Sequence, residues 1–182
     1  MRIGFDAKRA FHNFRGLGNY SRDLIRILQE RTDTELVLFN PLKRKFLGVK
    51  LTPKTTEITP KGFFWKRFKS LWRLFHITTL ARKEHLDIYH GLSGEIPIGI
   101  YKQVPTVVTI HDLIFLRFPQ WYSPFDRKIH TLKFRYAAQK SQHIIAISEQ
   151  TKRDIVDYFH IDPNKISVVY QGCHAAFKQT YT

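Results

Sequence analysis

The stretch Val104–Asp112, VPTVVTIHD, holds the residues best placed for chemistry. A β-branched apolar run of this kind forms a buried parallel strand, and it stops abruptly at His111-Asp112. Ligands of open α/β sheets sit just beyond the carboxyl ends of the strands. There, an imidazole beside a carboxylate can orient a hydroxyl or move a proton. From this stretch alone two readings stand level: a functional histidine, or one that only caps the strand.

Other segments place similar residues at strand ends. Leu86–Tyr89 reads as a short strand followed by His90-Gly91, and HIIAI as a strand followed by Ser148-Glu149. Gly16 and Gly18 stand where a long turn after Arg2–Asp6 enters the helix Asn19–Glu30. Glycines admit close backbone approach, and a helix N-terminus favours anions. The spacing is not that of a dinucleotide fingerprint: Ser21 stands where the third glycine belongs, and the glycines lie too far past the strand. No Gly-Lys-Ser/Thr follows, so a nucleotide-hydrolysing phosphate loop is excluded as well.

The elements that position these residues alternate between strand and helix. That pattern predicts an α/β fold with a doubly wound, mostly parallel sheet and helices on both faces. The loops after Asp6, Tyr89, Ile110 and Ile147 then share one edge, where Gly16, Gly18, His90, His111, Asp112, Ser148 and Glu149 can converge. The convergence favours the functional reading of His111. Ser123-Pro124 and Ser148 are expected helix starts. The loop between Asp112 and Ser123 carries Phe115, Phe118, Trp121 and Tyr122, which can stack on a planar ligand or pack beneath the next helix.

The chain has 182 residues, one cysteine (Cys173) and a net charge of +15. The length suits one domain with a full core. A single cysteine excludes a disulfide scaffold and fits a reducing cytosol. The nine histidines show no metal-ligand spacing, and no metal or resident cofactor is expected. No apolar run is long enough to span a bilayer, and the N-terminus reads directly into a strand, so no leader is expected.

The charge is concentrated. Pro41–Lys83 holds twelve basic residues and one acid, Glu57, for +11 of the +15. An anionic partner is implied. Within this region Phe64, Trp65, Phe68, Leu71, Trp72 and Phe75 form an aromatic stripe at helical spacing, with Lys66, Arg67, Lys69 and Arg73 opposite. The commoner arrangement packs such a stripe on the sheet. The sharper one lays it on an anionic membrane. Nucleic acid is the less expected partner, because no reader motif occurs.

Four segments together, RIGFDAKR…GLGNYSRDL, VVTIHDLIFLRFPQWYSP, HIIAISEQTKRDI and KISVVYQG, resemble the N-terminal half of family-4 retaining glycosyltransferases. Bacterial mannosyltransferases and related enzymes of surface-polysaccharide synthesis are most similar. The resemblance implies one half of a two-domain GT-B fold: a Rossmann-like domain over residues 1–172, then the start of an interdomain linker over 173–182. The donor-binding half would be absent and the fragment inactive alone. It implies transfer of a hexose, of mannose or glucose type, from a nucleotide sugar to a saccharide or lipid-linked acceptor, without a metal ion.

By the same resemblance, Gly16 and Gly18 approach the donor diphosphate, and His111 lies near the transferred sugar; His111 and, beside it, Asp112 are the expected catalytic residues. Ser148 and Glu149 are structural. Asn19, His90, Phe115, Trp121 and Tyr122 form the acceptor side. The implied location is cytoplasmic, peripheral on the inner face of the cell membrane. The competing class is a basic membrane- or nucleic-acid-binding module without catalysis.

Overall fold

The computed structural model describes residues 1–43 and 48–172. Arg44, Lys45 and Cys173, with the segment 173–182 expected to begin a linker, lie outside the described residues. The chain runs β1 (Arg2–Asp6), α1 (Lys8–His12), α2 (Gly16–Arg31), β2 (Glu35–Phe39) and β3 (Thr55–Ile58). After α3 (Gly62–Arg67) come α4 (Lys69–Leu71), a π-helical turn over Trp72–His76 and α5 (Ile77–Lys83). Then follow β4 (Ile88–Gly91), β5 (Thr106–Ile110), α6 (Ile114–Arg117) and α7 (Pro124–Lys140). The last elements are β6 (His143–Ala146), α8 (Glu149–Phe159) and β7 (Ile166–Val168).

The strands form one seven-stranded sheet in the order β3-β2-β1-β4-β5-β6-β7, and each neighbouring pair is parallel. The chain winds outward from β1 to β3, then restarts beside β1 and winds the other way. The order therefore reverses between β1 and β4, and a crevice opens at that point beyond the strand ends.

Strand alternation sends residues to two layers. Ile3, Phe5, Leu36 and Leu38 pack with Phe11 and Ile25 on the α1–α2 side. Val37, Phe39 and Tyr89 pack with Trp72, Ile77 and Ala81 on the other side. Ser123 and Ser148 cap α7 and α8, their hydroxyls accepting from the Asp126 and Thr151 amides. The expected fold class is the one observed.

The aromatic stripe is not one helix. Phe68 leaves the helical region (φ −108°, ψ 60°), which splits the segment into α3 and a second piece turned differently. Only Trp72 of the stripe is fully buried, at 1% exposure. Trp65 is half-buried and stacks on His76, with ring centroids 4.6 Å apart. Phe64, Phe68, Leu71 and Phe75 are exposed, and Phe63 beside them reaches 88%. Packing the whole stripe on the sheet, the commoner arrangement, does not occur.

Candidate functional site

His111 lies one residue beyond β5, and Leu92 one residue beyond the neighbouring β4. The imidazole Nε2 is 3.0 Å from the Leu92 carbonyl, which only accepts, so Nε2 carries the proton. Nδ1 then accepts from the Gln171 side-chain amide at 2.9 Å. The ring meets Tyr20 edge to face, with centroids 4.7 Å apart. Burial pushes the His111 pKa below its ordinary value, against the opposite pull of the Leu92 carbonyl and Asp112. The ring is thus a neutral imidazole with one fixed donor. Its Nδ1 can accept from a ligand hydroxyl once the Gln171 amide moves aside. The His111 carbonyl accepts from Thr151 Oγ1 at 2.8 Å, which anchors the position to the start of α8.

A buried polar string runs beneath His111. Tyr20 Oη lies 3.0 Å from Thr109 Oγ1, and His90 Nε2 lies 2.8 Å from the same oxygen. Burial raises the Tyr20 pKa, partly countered by the Thr109 hydrogen bond. Burial lowers that of His90 to about 4. His90, expected on the acceptor side, is thus largely enclosed. β4 extends two residues beyond Tyr89, so His90 sits inside the strand, in register with Phe5 and Val107. It is a core histidine, 8% exposed.

The glycines divide. α2 begins at Gly16, three residues earlier than expected, with no side-chain cap. A Cβ on Gly16 would meet nothing within 4 Å, so no close packing requires a glycine there. A Cβ on Gly18 would collide with the Asn13 carbonyl. Gly18 is therefore required for α2 to pack on the preceding loop. Asn19 is turned away: its Oδ1 accepts from Arg22, in a groove shared with Gly48–Lys50.

The loop after β5 also differs from expectation. Asp112 is exposed, and its Oδ1 accepts from the Ile114 amide at 3.2 Å, starting α6. Phe115 is buried among Tyr122, His130 and Phe134, so it shapes core and not an acceptor surface. Tyr122 is half-buried against the same cluster. Trp121 alone of the three expected aromatics is open, 66% exposed and stacked on Phe118 at 4.6 Å.

An ion network that the sequence reading did not assemble occupies the crevice between β1 and β4. Arg73 Nε and Nη2 lie 2.7 and 2.6 Å from Asp6 Oδ2, and Nη2 lies 3.3 Å from Glu95 Oε2. Lys133 Nζ is 3.3 Å from Glu95 Oε1. The Arg73 and Asp6 side chains are only 17% and 12% exposed. Burial works to lower the Arg73 pKa, but the carboxylates of Asp6 and Glu95 hold it above the ordinary value. Arg73 was expected on the solvated basic face; its two carboxylate partners draw it inward instead. Of that set, Lys66 and Arg67 remain exposed and Lys69 half-exposed. The only sequence signal for the network was Asp6 at the end of the first strand. The Leu92–Glu95 loop joins both arrangements, touching His111 at one end and Arg73 at the other.

Among the described residues, no group of three His, Cys, Asp or Glu is placed to hold a metal ion. Nor is any described helix long and apolar enough to cross a membrane.

Residues 14–177 match the model of Glycosyltransferase Family 4. No curated protein matches the chain. Among solved structures, Anabaena Alr3699/HepE, determined with UDP and glucose, superposes with a TM-score of 0.58 at 15% identity, over 99% of this chain and 46% of that one. The lipopolysaccharide outer core galactosyltransferase WaaB gives 0.53 at 16% identity, over 95% and 46%. The UDP-GlcNAc 2-epimerase of Methanocaldococcus jannaschii gives 0.50 at 15%, over 93% and 45%. The chain thus spans about half the length of these structures, the size of one half of a GT-B fold. At such identities the likeness establishes the fold, and one fold serves both transfer and epimerisation. The family match is what separates them.

Proposed function

The chain belongs to glycosyltransferase family 4, and from that premise we propose that it is the acceptor-side half of a retaining hexosyltransferase. In this reading a second domain holds the nucleotide-sugar donor, and the crevice at the ends of β1, β4 and β5 receives a saccharide or lipid-linked acceptor. The match over residues 14–177 carries the reading; the tautomer-fixed His111 at the crevice supports it.

Departure of a nucleoside diphosphate from the sugar leaves a cationic anomeric carbon and a growing anionic charge. The N-terminal turn of α2, which starts at Gly16 without a side-chain cap, suits that charge. His111 accepts a sugar hydroxyl at Nδ1 and so orients the transferred ring. It is not assigned as the base: burial disfavours its protonated form, and the leaving phosphate can take the acceptor proton.

The isolated chain, incubated with nucleotide sugars and acceptors, is expected to give no steady turnover. Extended to include a donor-binding domain, it should transfer sugar, and His111→Ala should lower kcat about tenfold or more, which is about 1.4 kcal/mol of barrier. The melting temperature should change little. Steady transfer by the isolated chain, or an unchanged kcat in His111→Ala, would count against these roles.

We also propose that α3 and the segment to Phe75 rest on an anionic membrane surface. Phe63, Phe64, Phe68 and Phe75 are exposed beside Lys66, Arg67 and Lys69, and no acid occurs between Lys61 and Lys83. Each cation near such a surface contributes about 1 kcal/mol, and the aromatic rings add the burial of apolar area. Cosedimentation with anionic vesicles should persist in part at high salt and fall in Phe64→Ser/Phe68→Ser. Binding to no vesicle at low salt would exclude the surface. Trp72 is the wrong residue to test, because burial makes it core.

A further inference from the structure

A cavity of about 840 Å³ lies between Ser70–Leu74, the Glu95–Ile98 loop and α7, beside Asp6 at the end of β1. Ile96 and Tyr136 of its lining pack with the Trp72 layer, whereas Tyr20 packs on the α1–α2 side, and the Leu92–Glu95 loop reaches both His111 and Arg73. Its lining separates by chemistry. Five cations, Lys8, Arg9, Arg73, Lys133 and Arg135, stand against two carboxylates, Asp6 and Glu95. Both carboxylates are engaged by Arg73, and Glu95 also by Lys133. Among the described residues, Lys8 and Arg9 have no carboxylate within ion-pair distance. Burial first, then Arg73 and Arg9, lower the Lys8 pKa despite Asp6 nearby. An ammonium so placed gains from an added anion.

The rest of the lining is mixed: Ser70, His130, Tyr136 and Gln139 are polar, and aliphatic side chains form an open rim. Leu71, Ile98 and Leu132 line the cavity and are exposed, and exposed Phe75 follows Leu74 of the wall. A neutral saccharide suits this surface poorly. Its hydroxyls can bond the polar lining but bring no counter-charge to the surplus cations, and they gain nothing from the aliphatic rim. An anion with an apolar tail fits both halves.

We propose that this cavity binds a phosphate-bearing amphiphile, its phosphate against Lys8, Arg9 and Lys133 and its chain across Leu71, Ile98 and Leu132. The identification of that molecule as the sugar acceptor rests on the glycosyltransferase reading; its binding does not. Arginine and lysine are the side chains suited to phosphate, and the site needs no new buried charge to receive it.

The test is calorimetric titration of this chain with dodecyl phosphate below its micelle concentration, beside glucose 1-phosphate and neutral dodecyl glucoside. Saturable one-to-one binding of dodecyl phosphate is expected, about tenfold or more tighter than either comparison compound, or about 1.4 kcal/mol. Lys8→Ser/Lys133→Ser should weaken it by a similar factor with the melting temperature retained. Leu132→Asp should bring it to the level of glucose 1-phosphate. Phe64→Ser/Phe68→Ser should leave it unchanged, since those rings lie outside the cavity. Equal binding of dodecyl glucoside would reduce the site to an apolar groove and overturn the proposal. Equal binding of glucose 1-phosphate would overturn the amphiphile. Unchanged affinity in the double lysine variant would place the ligand elsewhere. If the chain extended with a donor domain glycosylates a neutral saccharide regardless of Lys8 and Lys133, this inference fails and the transferase reading stands. If phosphate binding holds but the extended chain transfers nothing, the reverse is true.

Discussion

Replacing Arg73 by leucine should cost roughly 3–5 kcal/mol of folding stability, the usual penalty for removing one partner of a buried ion pair. Asp6 and Arg73 are both largely shielded, and the guanidinium serves Asp6 through two nitrogens while reaching Glu95. Without it, the Lys8 backbone amide is the one hydrogen-bond donor left to the Asp6 carboxylate among the described residues. Lys133 can still neutralise Glu95, so the loss falls mainly on Asp6. Urea denaturation midpoints with unchanged slope measure the effect. Asp6→Asn in the Arg73→Leu background should restore part of the loss, because it removes the stranded charge. Arg26 with Glu30 is the contrast: both side chains are more than half exposed, so Arg26→Ala should change stability by about 1 kcal/mol or less. If Arg73→Leu is as mild as Arg26→Ala, the network is a surface feature and not a structural one.

The same network shows what the sequence made legible and what it did not. Strand positions follow from β-branched apolar runs, and β1, β5 and β6 stand where those runs put them. His111 at a strand end follows directly from the break after Ile110. Which side chains then meet depends on non-local pairing, and Arg73 reaches Asp6 across 67 positions of sequence. Nothing local in WKRFKSLWRLF marks Arg73 as different from Arg67. Boundaries matter as much. Two extra residues on β4 turn His90 from an edge residue into a core one, because each strand position faces one layer or the other. The aromatic stripe misled for a related reason. Helical periodicity assumes a continuous helix, and Phe68 interrupts it. Gly18 was read for approach to a diphosphate; the close approach seen here is to the Asn13 carbonyl, a contact across five residues that spacing does not mark.

Acid should destabilise the fold through His90, by roughly 3 kcal/mol once the pH has fallen from 7 to 4. Burial holds the folded-state pKa of His90 at about 4, against an ordinary value of 6.5. Between those values the unfolded chain binds a proton that the native chain refuses, so stability rises with pH across the window. Above about pH 6.5 both states are neutral at this position and the contribution is complete; below about pH 4 both are protonated and the loss stops growing. At about 1.36 kcal/mol per unit, a gap of 2.5 units gives the stated magnitude. His111 is lowered by burial too, so it adds a loss of the same sign. The two are separable by substitution. His90→Gln keeps an amide able to bond Thr109 and cannot titrate, so its stability should fall much less between pH 6.5 and 4 than that of the parent. The difference between the two curves cancels the carboxylates common to both. Parallel curves across that window would mean that His90 is hydrated in the native state, and the Tyr20–Thr109–His90 string beneath His111 would then lie open to water.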